Sequence, residues 1–303
     1  MRLEEAGRTG MILVWSKRIR WALMLAVLVY LGVCAYMWAI QRQRIFEPTP
    51  LLQSTPARLG MKFEEVHIPS GSGENQGELF AWWIPAEKAD APTMLYLHGT
   101  EKNIGAAHDL NNAARFHDMG YHLLMVDYRG YGKSTGTGPS EAGMYADAES
   151  AWRYLTRQRT IDPKRTIIFG HSLGGAIALN LALHHPEAAG VIAESTFTSM
   201  MDMAESKYSY LPVDLLLNQR FDSIGKLSRM KVPMLFIHGT WDRRIPHQMS
   251  QRLFESAPQP KFLKLIEGGE HGNSALVAPL EYRAAVSEFV QRYTVHINEP
   301  KAN

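Results

Sequence analysis

A chain of 303 residues with 46% hydrophobic content is long enough for one large domain with a full core. Its formal charge of +2, with no basic stripe interleaved with aromatics, argues against a nucleic-acid binder. A single cysteine, Cys34, excludes any disulfide within the chain and makes thiol chemistry a poor candidate.

Residues 21–40 carry no charge, and twenty such residues are about what a helix needs to cross ~30 Å of hydrocarbon. Trp21 and Trp38 stand near the two ends, as interfacial anchors do. Arg2, Arg8, Lys17, Arg18 and Arg20 precede the run, and Arg42 and Arg44 follow it. That imbalance predicts a single-pass span in the cell membrane, with residues 1–20 cytoplasmic and the remainder extracytoplasmic. Two other readings stay open: a cleaved signal peptide, and lipidation at Cys34, where Leu31-Gly32-Val33-Cys34 approximates a lipoprotein box. Pro48, Pro50 and Pro56 mark residues 41–59 as a linker, and 296–303 read as a tail.

Strands are expected at 63–68, 79–84, 93–98, 122–127, 166–169, 190–194, 234–238 and 262–266. The fifth to seventh are short apolar runs, as a sheet covered on both faces requires. Helical patterns fall between them, notably at 140–157, 174–185, 247–256 and 275–292. This alternation predicts an α/β domain over 60–295, a mostly parallel eight-stranded sheet with helices on both faces.

At 167–176 three apolar residues run into Gly-His-Ser-Leu-Gly-Gly and then a helical pattern, the strand–turn–helix order of a nucleophile elbow around Ser172. The turn is so tight that Gly170 and Gly174 must lack side chains. With 24 glycines a chance G-x-S-x-G arises in roughly one such chain in ten, so partners are needed. A serine hydroxyl requires an imidazole to take its proton and a carboxylate to orient that imidazole. Asp242 follows the strand at 234–238, and His271 follows the strand at 262–266 among Gly268, Gly269 and Gly272. Glu194, ending the strand after the elbow helix, is the rival acid, while His171 adjoins the serine but should point elsewhere. The oxyanion hole needs two backbone N–H groups, expected from Leu173 and from Thr100 beyond Gly99, with His98 packed beneath. No metal-ligand spacing, phosphate loop or dinucleotide fingerprint is present, and no cofactor is expected.

In LYLHGTEKNIG (95–105), DYRGYGKSTGTGPSEAGMYADAESAWRYL (127–155), GHSLGG (170–175), ESTFTS (194–199), FIHGTWDRRIP (236–246) and GGEHGN (268–273), the chain resembles the α/β-hydrolase superfamily. More narrowly it resembles the membrane-associated α/β-hydrolase-domain-containing proteins, serine hydrolases related to acyl-protein depalmitoylases. The resemblance spans about 46–293 and implies hydrolysis of esters or thioesters, often long-chain acyl ones, with Ser172, Asp242 and His271 as the triad. It also implies an N-terminal anchor and a short helical cap, here at about 196–231, whose Met200, Met201 and Met203 suit either ordinary packing or an adaptable apolar lid. Where the group has Asn-Ala-Gly-Asn, this chain has Thr100-Glu101-Lys102-Asn103, which puts charge at the rim. The expected partners are the membrane, through 21–40, and an acyl ester or thioester substrate, such as a lipid or acylated protein. A serine peptidase of the same fold, and a silent binding scaffold, are the alternatives.

Overall fold

The computed structural model describes residues 2–71 and 76–294, with side chains from 17 onward; the expected tail at 296–303 lies outside them. In chain order the elements are α1 (Arg2–Ile45), β1 (Glu47–Pro48), β2 (Glu64–Ser70), β3 (Gly77–Ile84), β4 (Thr93–Leu97), β5 (Glu101–Lys102), α2 (Ala107–Asp118) and β6 (His122–Val126). Then come α3 (Glu141–Arg153), β7 (Thr166–His171), α4 (Leu173–His184), β8 (Gly190–Glu194), α5 (Met200–Lys207), α6 (Val213–Leu216) and α7 (Ile224–Leu227). The chain finishes with β9 (Met234–Gly239), α8 (Gln248–Ser256), β10 (Lys261–Ile266), α9 (Ser274–Val277) and α10 (Pro279–Thr294).

Eight strands form one sheet in the order β10-β9-β8-β7-β4-β6-β3-β2. Only β3 runs against the rest, pairing antiparallel with β2 and β6. Strands β4, β6, β7, β8 and β9 are buried at every residue, because helices cover both faces. Two apolar clusters divide the core by face. One gathers Leu97, Ile168, Phe236 and most of α4; the other gathers Tyr96, Phe169, Ile237 and Tyr282. Helix α4 is apolar around most of its circumference, as a helix sunk into a core must be.

Three features depart from the sequence expectations. The pattern at 275–292 is two helices, because Pro279 drives Ala278 out of helical geometry to φ −132° and ψ 69°. Helix α2 was not expected: its N-cap, Ala106, makes no side-chain cap, and its buried face includes Asp109 and Asn112. The expected linker at 41–59 is seated on the domain. There α1 continues to Ile45, Phe46 is buried, and β1 pairs in parallel with β5. Asn103 holds this segment by donating from Nδ2 to the Thr49 and Leu51 carbonyls at 2.9 and 2.8 Å.

Residues 196–231, expected as the cap, hold α5, α6 and α7. Helix α1 is apolar enough to cross a membrane over Lys17–Ile45, with mean hydropathy 2.2 and 6% of its most apolar window buried.

A side chain at Gly174 would put its Cβ 2.0 Å from the Leu97 carbonyl, whereas one at Gly138 would meet nothing within 4 Å. Gly174→Ala should therefore destabilise the purified full chain by on the order of 3 kcal/mol, and Gly138→Ala by about 0.5 kcal/mol or less. Thermal unfolding of both in the same detergent checks this; equal losses would contradict the close approach at the elbow.

Candidate active site

Strand β7 ends directly in Ser172, which adopts φ 55° and ψ −120° before α4 begins at Leu173. That left-handed conformation costs a side-chain-bearing residue on the order of 1–3 kcal/mol. It is held from both sides: the Ser172 N–H donates to the Glu194 carbonyl at 2.8 Å, and the Thr196 hydroxyl donates to the Ser172 carbonyl at 2.8 Å. The hydroxyl is thereby turned away from the sheet toward the loops that end β9 and β10.

Those loops bring the expected partners together. The Ser172 hydroxyl lies 3.1 Å from His271 Nε2, and His271 Nδ1 lies 2.7 Å from Asp242 Oδ2. Asp242 is fully engaged. Its Oδ1 accepts the backbone N–H groups of Arg244 and Ile245, both at 2.9 Å. Its Oδ2 accepts from His271 and from His238 Nε2 at 3.1 Å. Burial alone would raise this carboxyl, but the bonds from His238 and His271 and the nearby His271 ring outweigh it and hold it well below the usual range.

His238 was not singled out in the sequence. It is wholly buried near the end of β9, its Nδ1 meets the Ser250 hydroxyl at 2.6 Å, and its Nε2 also faces the Ile245 carbonyl at 2.9 Å. A fully buried histidine must find such partners, and a histidine four residues before the acid was the only available signal.

The rival acid is committed elsewhere. Glu194 is 2% exposed and accepts the Tyr282 hydroxyl at 2.7 Å. Burial raises its carboxyl to about 7 despite that bond. His171 packs its ring 4.4 Å from that of His108 and 5.1 Å from that of His271, and burial holds it neutral. His98 packs between Tyr128 and Tyr131, with centroids at 4.5 and 5.2 Å, and burial lowers it to about 3.

The main-chain N–H of Leu173 opens α4 and has no acceptor one turn earlier within the helix. Thr100 shares the wall of one small pocket with Ser172 and Leu173. Its loop is tied down three ways: its hydroxyl donates to the Ile45 carbonyl, and its carbonyl accepts from Tyr131 Oη at 2.8 Å and Glu47 N at 3.1 Å. Lys102, standing where the family pattern has glycine, takes φ 63°. Two cavities flank Ser172. One, of about 520 Å³, is lined by polar groups including Lys102, His108, Arg243 and Glu270. The other, of about 160 Å³, is lined by Ile45, Phe197, Met200, Met203 and Ile245. Among the described residues no group of three or more His, Cys, Asp or Glu is placed to hold a metal ion.

Because the folded chain keeps a proton on Glu194 that the unfolded chain releases, its contribution to stability falls as pH rises from 4.5 through about 7. Glu194→Gln keeps an acceptor for Tyr282 but cannot ionise. The variant should gain on the wild type across that window, by on the order of 3 kcal/mol from end to end. Melting curves at the two ends test this; a constant gap would mean that the carboxyl ionises as freely in the fold as outside it.

The family described as alpha/beta hydrolase fold matches residues 92–223. An uncharacterized protein of Mycobacterium tuberculosis is 31% identical over 272 residues, covering 89% of this chain and 94% of that protein. The lysophosphatidylserine lipase ABHD12 of Danio rerio is 33% identical over 216 residues, 65% of this chain and 55% of that protein. The Pyrococcus furiosus esterase Pf2001 superposes with a TM-score of 0.68 at 22% identity, over 82% of this chain and 98% of that one. With this fold and these relatives, the chain belongs to the α/β-hydrolase superfamily.

Proposed function

We propose that this chain is a membrane-anchored serine hydrolase that cleaves carboxylic esters or thioesters through an acyl-enzyme on Ser172. One observation carries the reading: the unbroken line from Asp242 through His271 to the Ser172 hydroxyl, at 2.7 and 3.1 Å. The Ser172 oxygen attacks the acyl carbon while His271 Nε2 takes its proton. Asp242 holds the Nδ1–H side of the ring and stabilises the imidazolium that forms. The oxyanion is met by the N–H groups of Leu173 and Thr100, and one such donor contributes ~10²–10³ in rate. His271 then protonates the departing alkoxide or thiolate, and water repeats the sequence against the acyl-enzyme. Chemistry of this kind needs no cofactor.

The apolar pocket beside Ser172 suits the acyl chain, and the polar cavity suits the leaving group. The Danio rerio relative, named as a lipase, supports a lipid ester as substrate. The membrane reading rests on α1, whose Leu23, Leu25, Val27 and Leu28 are exposed, an arrangement that lipid solvates and water does not. Lys17, Arg18 and Arg20 lie beside the apolar run, and this bias puts the N-terminus in the cytoplasm and the catalytic domain outside.

Ser172→Ala should abolish labelling by a fluorophosphonate probe and lower p-nitrophenyl ester hydrolysis by ~10⁴-fold or more without unfolding the chain. Undiminished labelling would sink the assignment. Asp242→Asn should cost orders of magnitude in kcat, and Glu194→Gln should be mild by comparison; the reverse ranking would move the acid to the end of β8.

For topology, an alkaline phosphatase fused after Tyr293 should be active and a fluorescent protein there dark. Replacing Lys17, Arg18 and Arg20 with Asn should mix or invert that result; an unchanged outcome would show that these charges do not set the orientation.

A further inference from the structure

Helix α1 is built into the domain along the half of its apolar run that leads to Ile45. The Tyr30 hydroxyl donates to the Tyr210 carbonyl at 3.1 Å, and Cys34 is buried with Leu211 and Val213. Gln41 clamps the cap with both ends of its amide: Nε2 donates to the Leu216 carbonyl at 3.1 Å, and Oε1 accepts the Asn218 N–H at 2.9 Å. From Tyr30 to Gln41 is about 16 Å of helix, half of a ~30 Å hydrocarbon layer. The cap therefore lies alongside the half of the span that leads to Ile45, presenting Tyr210 and Leu215, 65% and 79% exposed.

Between α1 and the cap runs an apolar groove of about 250 Å³, walled by Met37 and Ile45 on one side and by Ala204, Leu211 and Leu217 on the other. Ile45, Met200 and Met203 line both this groove and the small pocket at Ser172 and Leu173, so the two cavities adjoin across these three side chains. Met37 to Ile45 spans about 12 Å of helix, and the adjoining pocket ends on the serine. Gln41, Arg44 and Lys207 also border this groove, but its other walls are apolar and suit hydrocarbon rather than water. Across Ser172 from it lies the polar cavity.

We infer that α1 is one wall of the acyl-chain site: the fatty chain of a membrane lipid ester passes laterally from the bilayer, between α1 and the cap, to Ser172, while its polar head occupies the cavity lined by Lys102 and Arg243. This rests on the serine-hydrolase reading and adds the substrate's route and the helix that forms it. The methionines at the junction supply a soft surface that adapts to chains of different shape.

The test uses the full chain in phosphatidylcholine vesicles. A palmitate carrying a diazirine midway along its chain should crosslink, in the Ser172→Ala protein, to Ile45 of α1 and to Met200 and Met203 of the cap, and one carrying it at the methyl end should crosslink to Met37 and Leu217. Adducts spread over α1 with none on Met200 or Met203 would overturn the inference. Ala204→Trp, which fills the groove, should lower the ratio of kcat/KM for p-nitrophenyl palmitate over the butyrate ester by ~10-fold, the loss of about two buried methylenes. An unchanged ratio, in a protein whose Ser172 still takes the fluorophosphonate, would overturn the route and leave the hydrolase reading standing. A wild type that neither takes the probe nor turns over the butyrate ester would overturn both. The crosslink needs no turnover and no groove substitution, so it decides the route even if Ala204→Trp fails to fold.

Discussion

The architecture depends on the crossing of two main chains at the elbow. A Cβ on Gly170 would fall 2.1 Å from the Gly174 carbonyl, and one on Gly174 would fall 2.0 Å from that of Leu97. Only there can β7 turn into α4 tightly enough to leave Ser172 at φ 55° with its hydroxyl free of the sheet. Fully buried strands on either side, β4 and β8, hold the strained turn in place. Gly175 extends the same logic, since a Cβ there would meet Thr196 at 2.6 Å.

Around that fixed point two carboxylates are driven apart in character. Asp242 receives four hydrogen bonds and stays ionised. Glu194, packed on Tyr282 within the core, holds its proton to about 7. Both lie at carboxyl ends of neighbouring strands, so position alone does not separate them. The difference lies in donors: a loop that curls back gives Asp242 its N–H groups, and β8 gives Glu194 none.

A second network joins α1 to the site. Arg129 is fixed by Asp147, its Nη2 2.6 Å from Oδ1. Two residues on, Tyr131 bonds the Thr100 carbonyl, and Thr100 in turn bonds the last carbonyl of α1. The long Tyr-Arg-Gly-Tyr-Gly stretch thus braces the loop expected to supply the second oxyanion donor, and lines neither of the two cavities at Ser172. The same loop is the terminus on which α1 docks, so the proposed anchor and the proposed oxyanion site are mechanically one unit.

Strand order along the chain, the parallel character of the sheet and the elbow were legible because buried apolar runs and obligate glycines are local signals. The gathering of Asp242 and His271 on Ser172 was inferred from their places at strand ends, and the apolar length of 21–40 was equally plain. Other features are not local. Helix α2 hides its polar Asp109 and Asn112 inward, against the expected period. His238 gains meaning only beside Asp242. The prolines of 41–59 read as a linker, and nothing local shows that the segment is held by Asn103, from more than forty residues away. The apolar groove exists only because the segment holding α5 and α6 folds back onto a helix some 175 residues earlier. Pattern along the chain specifies which residues must be buried and where the backbone must turn. Which buried or polar group meets which is decided by packing between distant segments.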